Sequence, residues 1–100
     1  MMYGILDEEL QLMRHIFAQT PTLERVVLYG SRVKGTNKPF SDVDITLIGD
    51  RLTNDDLTDV MFRLSESSLP YFYDVSLFKN LTNTALIEHI QRRGSTIYEA

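Results

Sequence analysis

A chain of 100 residues with 43% apolar and 24% charged side chains has the make-up of one globular domain rather than of a disordered tail. It has no cysteine, which excludes disulfides and thiolate metal sites, and its net charge of −4 argues against the basic surface that non-specific nucleic-acid binding relies on. No apolar run approaches the ~20 residues of a bilayer span and no basic lead precedes an apolar block, so a cytoplasmic single domain over residues 1–100 is expected.

The first expected element is a helix from about Asp7 to Ala18, with Leu6, Leu10, Met13 and Phe17 at helical spacing and Asp7 and Glu8 where the helix dipole favours anions. Pro21 punctuates its end. Glu24 to Tyr29 is dense in β-branched and aromatic residues and reads as a strand. Gly30 breaks it, Ser31 to Lys34 forms one helical turn closed by Gly35, and Thr36 to Phe40 reads as a loop. Ser41 to Ile48 alternates as a second strand. Thr53-Asn54-Asp55-Asp56 opens a helix with the stripe Leu57, Val60, Met61 and Leu64, ended by Ser67-Ser68 and Pro70. Tyr71 to Phe78 is a third strand. Asn83 to Arg93 is the last helix, with Leu86, Ile87 and Ile90 inward, Arg92 and Arg93 in its last turn and Gly94 at its stop.

Alternation along the strands gives the first functional clue. Val43, Ile45 and Leu47 share one face of the second strand, and Asp42, Asp44 and Thr46 share the other. On the third strand Asp74 and Ser76 oppose Tyr73, Val75 and Leu77. Pairing of the apolar faces gathers Asp42, Asp44 and Asp74 on an open side, with helices over the other. Such carboxylates repel one another and call for a compensating cation. Oxygen-only ligands suit a hard ion such as Mg²⁺, and the Asp-X-Asp spacing suits two ions about 3.5–4 Å apart, the clamp used for nucleotidyl transfer. Upstream, the Gly30-Ser31 strand end offers backbone N–H groups and a hydroxyl to a phosphate, with Arg32, Lys34 and Lys38 nearby in sequence.

The stretch Gly30-Ser31-Arg32-Val33-Lys34-Gly35 followed by Ser41-Asp42-Val43-Asp44 fits a pattern of Gly-Ser, ten residues, then Asp-X-Asp. It resembles the nucleotidyltransferase superfamily that includes DNA polymerase beta, and within it the minimal nucleotidyltransferases often encoded beside a helical HEPN-domain protein. Ile45-Thr46 departs mildly from an apolar pair common after the second Asp. The resemblance implies an α+β fold, a two-layer sandwich with a small mixed sheet and helices on one face. It implies that Gly30 and Ser31 hold the β- and γ-phosphates of a nucleoside triphosphate, with Arg32, Lys34 and Ser41 counted among the nucleotide-binding residues. Asp42 and Asp44 would bind two Mg²⁺ ions, for which Mn²⁺ substitutes. Asp74 would hold the ion that activates the acceptor hydroxyl and is the candidate for taking its proton.

The expected activity is transfer of AMP from ATP to a hydroxyl of a HEPN-domain partner, as the antitoxin of a toxin–antitoxin pair in a hetero-oligomer, since a chain this short leaves the acceptor to a partner. Two other readings stay open: a non-catalytic subunit that neutralises a helical partner by contact, and half of an enzyme that modifies a small molecule. His15 and His89 read as surface residues. Tyr71 and Tyr73 read as core, with base stacking open to whichever faces the open side.

Overall fold

The computed structural model describes residues 1–39 and 41–100; Phe40, which the loop reading included, lies outside the described residues. Four strands form one sheet in the order β3-β2-β1-β4, with β1 Arg25–Tyr29, β2 Val43–Ile48, β3 Tyr73–Leu77 and β4 Ser95–Glu99. β1 lies antiparallel to both β2 and β4, whereas β2 and β3 run parallel. The helices are α1 Asp7–Phe17, α2 Ser31–Lys34, α3 Asn54–Ser65 and α4 Thr84–Arg93, and a 3-10 turn spans Phe78–Asn80. The mixed sheet and the α+β class are as expected.

Local chemistry accounts for the helix boundaries. Asp7, Glu8 and Glu9 occupy the first turn of α1, and Glu9 Oε1 accepts the Leu6 amide at 3.0 Å, one of the donors a helix start leaves open. At α3 the Thr53 hydroxyl accepts the Asp56 amide at 3.1 Å while Asp56 Oδ2 accepts the Thr53 amide at 3.0 Å, a reciprocal cap. Asp56 also accepts from the Thr22 hydroxyl at 2.8 Å, and that bond first of all holds its carboxyl below the usual range. Asn83 Oδ1 caps α4 by accepting the Leu86 amide at 3.1 Å.

The main core lies between the sheet and the pair α1 and α3. Val26 and Leu28 of β1, Val43, Ile45 and Leu47 of β2, and Ile97 of β4 meet Leu10, Met13 and Phe17 from α1 and Val60 and Leu64 from α3. Met61, expected in the α3 stripe, is 45% exposed; the buried stripe is the narrower pair Val60 and Leu64.

Helices were expected on one face only, but they lie on both, and the reason is in β1. Its residues Val26 to Tyr29 are all buried, so β1 is apolar on both faces. Val27 and Tyr29 form a second cluster with Ile90, joined by Leu86, Ile48, Phe78 and Leu81. α4 therefore sits across the sheet from α1 and α3, above β1, and leaves the β2–β3 half of that face to polar side chains. The helix-to-strand junction at Gly94 allows this closeness: a Cβ there would lie 2.3 Å from the Ile90 carbonyl oxygen and 2.5 Å from Val27 Cγ1. Gly94 ends α4 in extended backbone and not as a left-handed cap, so the chain runs straight into β4.

β4 has no counterpart among the elements expected from the sequence. It is an edge strand with one fully inward apolar residue, Ile97, and Arg14 Nε donates to the Ile97 carbonyl at 2.8 Å. No described helix is long and apolar enough to cross a membrane.

Candidate active site

The site is built where β1, β2 and β3 present their polar face beside α4. Asp44 is the register partner of Tyr29 on β1 and of Asp74 on β3, so its carboxylate lies at the centre of the exposed half-sheet. Neighbouring strands run about 4.8 Å apart, which places the Asp44 and Asp74 side chains side by side on one face. Thr46 and Ser76 continue the row, with the Ser76 hydroxyl donating to Thr46 Oγ1 at 3.0 Å. Burial pushes the Asp44 carboxyl above its usual range, and the charges of Asp74 and then Asp42 push the same way. Tyr29 is likewise raised, by burial first and then by Asp74 and Asp44.

Gly30 lies directly against this carboxylate. Its backbone, at φ 83° and ψ −150°, occupies a region essentially reserved for glycine. A Cβ at Gly30 would stand 2.5 Å from Asp44 Oδ2. The glycine is therefore required twice, once to turn the chain from β1 into α2 and once to let the turn touch Asp44. The Gly30 amide donates to His89 Nε2 at 3.3 Å, and the His89 ring meets Tyr29 edge-on with centroids 6.3 Å apart. His89, expected at the surface, is in fact the α4 side chain that reaches the turn. Nothing local in the sequence points to this, because it depends on α4 lying over β1.

The fold brings Asp44 and Asp74 together in register, and the charge of Asp42, two residues before Asp44, also acts on Asp44. Asp42 is exposed and precedes the first residue of β2. Among the described residues no three carboxylate or imidazole groups converge into a ready-made metal nest. The donor set still fits a hard ion: Mg²⁺ keeps most of its waters, takes one or two carboxylates, and completes its shell with phosphate oxygens. Two carboxylates in register on a half-exposed surface match that requirement, and a cation there would offset both the burial of Asp44 and the charges of its neighbours.

The basic residues divide. Arg32, expected at the nucleotide, is 2% exposed and turned into the protein. Its Nη1 donates to the Tyr3 carbonyl at 2.9 Å and its Nη2 to the Ser41 carbonyl at 2.7 Å, and Cζ stands 4.9 Å from the centroid of the Tyr71 ring. The guanidinium thus ties the amino-terminal segment, the loop before β2 and the approach to β3 together, which no side chain reaching for a phosphate could do. Ser41 has a similar task. Its hydroxyl accepts the Lys38 amide at 2.8 Å and its amide donates to the Lys38 carbonyl at 3.0 Å, closing the loop that delivers Asp42. Lys34 and Lys38 are exposed.

Tyr71 and Tyr73 both pack against the main core, so neither faces the open side. Burial, followed by the bond to Glu9, pushes the Tyr71 hydroxyl up to about 12; it donates to Glu9 Oε1 at 2.5 Å. Burial also raises Tyr73. The most exposed aromatic among the described residues is instead Phe72, 82% accessible, which immediately precedes β3.

Comparison with known proteins identifies the family and the fold. The family model described as polymerase beta, nucleotidyltransferase, matches residues 11–100. A Haemophilus influenzae protein named "Probable protein adenylyltransferase MntA" is 37% identical over 75 residues; the matched region is 71% of this chain and 63% of that protein. A chain from a toxin–antitoxin complex solved with AMP-PNP superposes with a TM-score of 0.73 at 23% identity, covering 95% of this chain and 75% of that one. A chain from the complex of a tri-AMPylated Shewanella oneidensis HEPN toxin with its MNT antitoxin superposes with a TM-score of 0.63 at 20% identity, covering 91% and 73%. Those two likenesses are of fold. The family match extends over both the glycine–serine turn and the carboxylates, and the chain belongs to the polymerase beta nucleotidyltransferase family.

Proposed function

We propose that this chain is a divalent-metal-dependent adenylyltransferase that moves AMP from ATP to a hydroxyl of a HEPN-type protein partner, as the antitoxin of a toxin–antitoxin pair. The observation that carries the proposal is the contact of the Gly30 turn with Asp44, itself in register with Asp74. A turn suited to a phosphate beside two adjacent carboxylates is what a nucleotide with its metal needs. The name of the Haemophilus relative and the AMPylated toxin in the Shewanella complex supply the nature of the group and acceptor.

The roles follow from position. Backbone N–H groups at Gly30 and Ser31, with the Ser31 hydroxyl, receive the outer phosphates of the nucleotide. Asp42 and Asp44 would hold Mg²⁺, with Asp74 completing the site of a second ion, and such ions neutralise phosphate charge and make a hydroxyl easier to ionise. Asp74, exposed on the β3 edge, faces the arriving acceptor and takes the hydroxyl proton. The acceptor oxygen then forms a bond to the α-phosphorus, the bond from that phosphorus to the oxygen bridging to the β-phosphate breaks, and pyrophosphate leaves.

ATP labelled at either the α- or the γ-phosphate, incubated with the protein and its co-purified partner in Mg²⁺, tests the reading. Label from the α-position on the partner, and none from the γ-position, is the expected result. γ-Label on the partner, or none from either, contradicts it. A contact-only role finds some support in the exposed Met61, Phe62 and Phe72, at 45%, 60% and 82%, and is what a tightly bound but unlabelled partner would indicate.

A further inference from the structure

We infer that the groove between α2 and α4, lined by Val33, Lys34, His89, Arg92 and Arg93, is a polyphosphate site that receives the terminal phosphates of the nucleotide and then the departing pyrophosphate. The inference rests on the adenylyl-transfer reading and adds to it residues from α4 that no part of the family motif contains.

Three observations support it. The first is charge. The chain carries a net charge of −4, yet Lys34, Arg92 and Arg93 converge on one depression of about 610 Å³. Cations in the last turn of α4 also complement the helix dipole, which would explain their presence but not their convergence with Lys34 from another element. Arg92 pairs with Glu88 Oε1 at 3.0 Å, but both side chains are mostly exposed, and such a pair contributes little and is readily exchanged for a phosphate. The second is continuity. His89 lines the groove and also accepts the Gly30 amide, so the groove begins at the turn that touches Asp44. A phosphate seated at the turn would replace His89 as acceptor of that amide.

The third is direction. Across the sheet the order is Asp74 on β3, Asp44 on β2, then Gly30 at the end of β1, with the α2–α4 groove beyond. In-line displacement at phosphorus requires the leaving oxygen opposite the attacking one. If the acceptor enters at Asp74, the leaving pyrophosphate points past Gly30 and into the groove. Arginine suits this role, since its planar fork can bind two phosphate oxygens at once.

Calorimetric titration of the full chain with inorganic tripolyphosphate, AMP and a 5′-phosphorylated diadenylate tests the assignment, using Arg92→Gln/Arg93→Gln and Arg92→Lys/Arg93→Lys variants. Tripolyphosphate should bind the wild type and lose at least about ten-fold in affinity in the glutamine variant, the loss of a charged hydrogen bond or more. The lysine variant should retain most of that affinity, and AMP should bind all three alike. Because both arginines are exposed, the variants should melt within a few degrees of the wild type, and Lys34→Gln gives an independent check from α2. Equal tripolyphosphate affinity in wild type and glutamine variant overturns the inference. So does a loss confined to diadenylate, which would make the groove a seat for adenylates already transferred. Absence of AMP transfer with an arginine-dependent tripolyphosphate site would instead remove the adenylyl-transfer reading and leave the groove as an anion site.

Discussion

Two glycines of the α2 segment have positive φ for different reasons, and their alanine variants should separate fold from function. Gly35 closes α2 at φ 76° with no atom within 4 Å of where a Cβ would stand, so Gly35→Ala carries only the left-handed backbone cost of about 1–2 kcal/mol. Gly30→Ala carries a cost of about 1–3 kcal/mol for its rarer backbone region. It also brings a Cβ to 2.5 Å from Asp44 Oδ2, closer than real Cβ contacts come, so the carboxylate must move off its place beside the turn. A misplacement of about 1 Å can cost 10²-fold in rate. Both variants should therefore lower Tm, by roughly 4–8 °C per kcal/mol for a domain of this size. Only Gly30→Ala should also cut nucleotide transfer by about 10²-fold or more. The assay is a thermal melt beside single-turnover AMP transfer at saturating ATP. Equal transfer rates in the two variants would refute the claim that the turn positions Asp44.

Three further outcomes follow from the same geometry. Arg32→Ala removes a buried donor to the Tyr3 and Ser41 carbonyls and should cost about 2–4 kcal/mol in urea unfolding; a fully stable variant with weakened ATP binding would instead return Arg32 to the nucleotide. Asp44→Asn should raise Tm at pH 7, because a carboxyl whose folded value is raised above its unfolded one favours folding only when protonated; the gain should fade as pH falls through the folded value toward the ordinary 3.8, and a pH-independent gain would contradict burial and carboxylate repulsion as its cause. Ser31→Ala should weaken ATP binding by about 1–3 kcal/mol while AMP binding holds, and equal losses in calorimetry would move Ser31 away from the outer phosphates.

The parts of the site legible in the sequence are those encoded locally. Gly30-Ser31 and Asp42-X-Asp44 lie within one short stretch, and strand alternation alone places Asp74 on the face of Asp44. What stays hidden depends on long-range packing. Arg32 reads as a free cation because arginine is rarely buried; its burial follows from the carbonyls of Tyr3 and Ser41 and the ring of Tyr71, which meet only in the fold. The unbroken apolar run Val26-Val27-Leu28-Tyr29 does carry a signal that β1 is covered on both faces, and with it the need for a helix such as α4 above the sheet, which in turn brings His89 to the Gly30 turn. β4 escapes a local reading because an edge strand anchored by Ile97 needs little more apolar pattern than a loop with Thr96 and Tyr98 offers.

In the proposed reaction Asp74 acts on the acceptor while the Gly30 turn and Asp44 hold the nucleotide. Intact-mass measurement of the co-purified partner after incubation with ATP and Mg²⁺, with wild type and Asp74→Asn compared, tests it most directly. The expected result is one or more AMP units on the partner with the wild type and a transfer rate lower by about 10²–10⁴-fold with Asp74→Asn, while ATP affinity and partner binding stay near wild type. An Asp74→Asn protein that adds AMP at the wild-type rate, or one that loses ATP binding to the same extent as transfer, would contradict it.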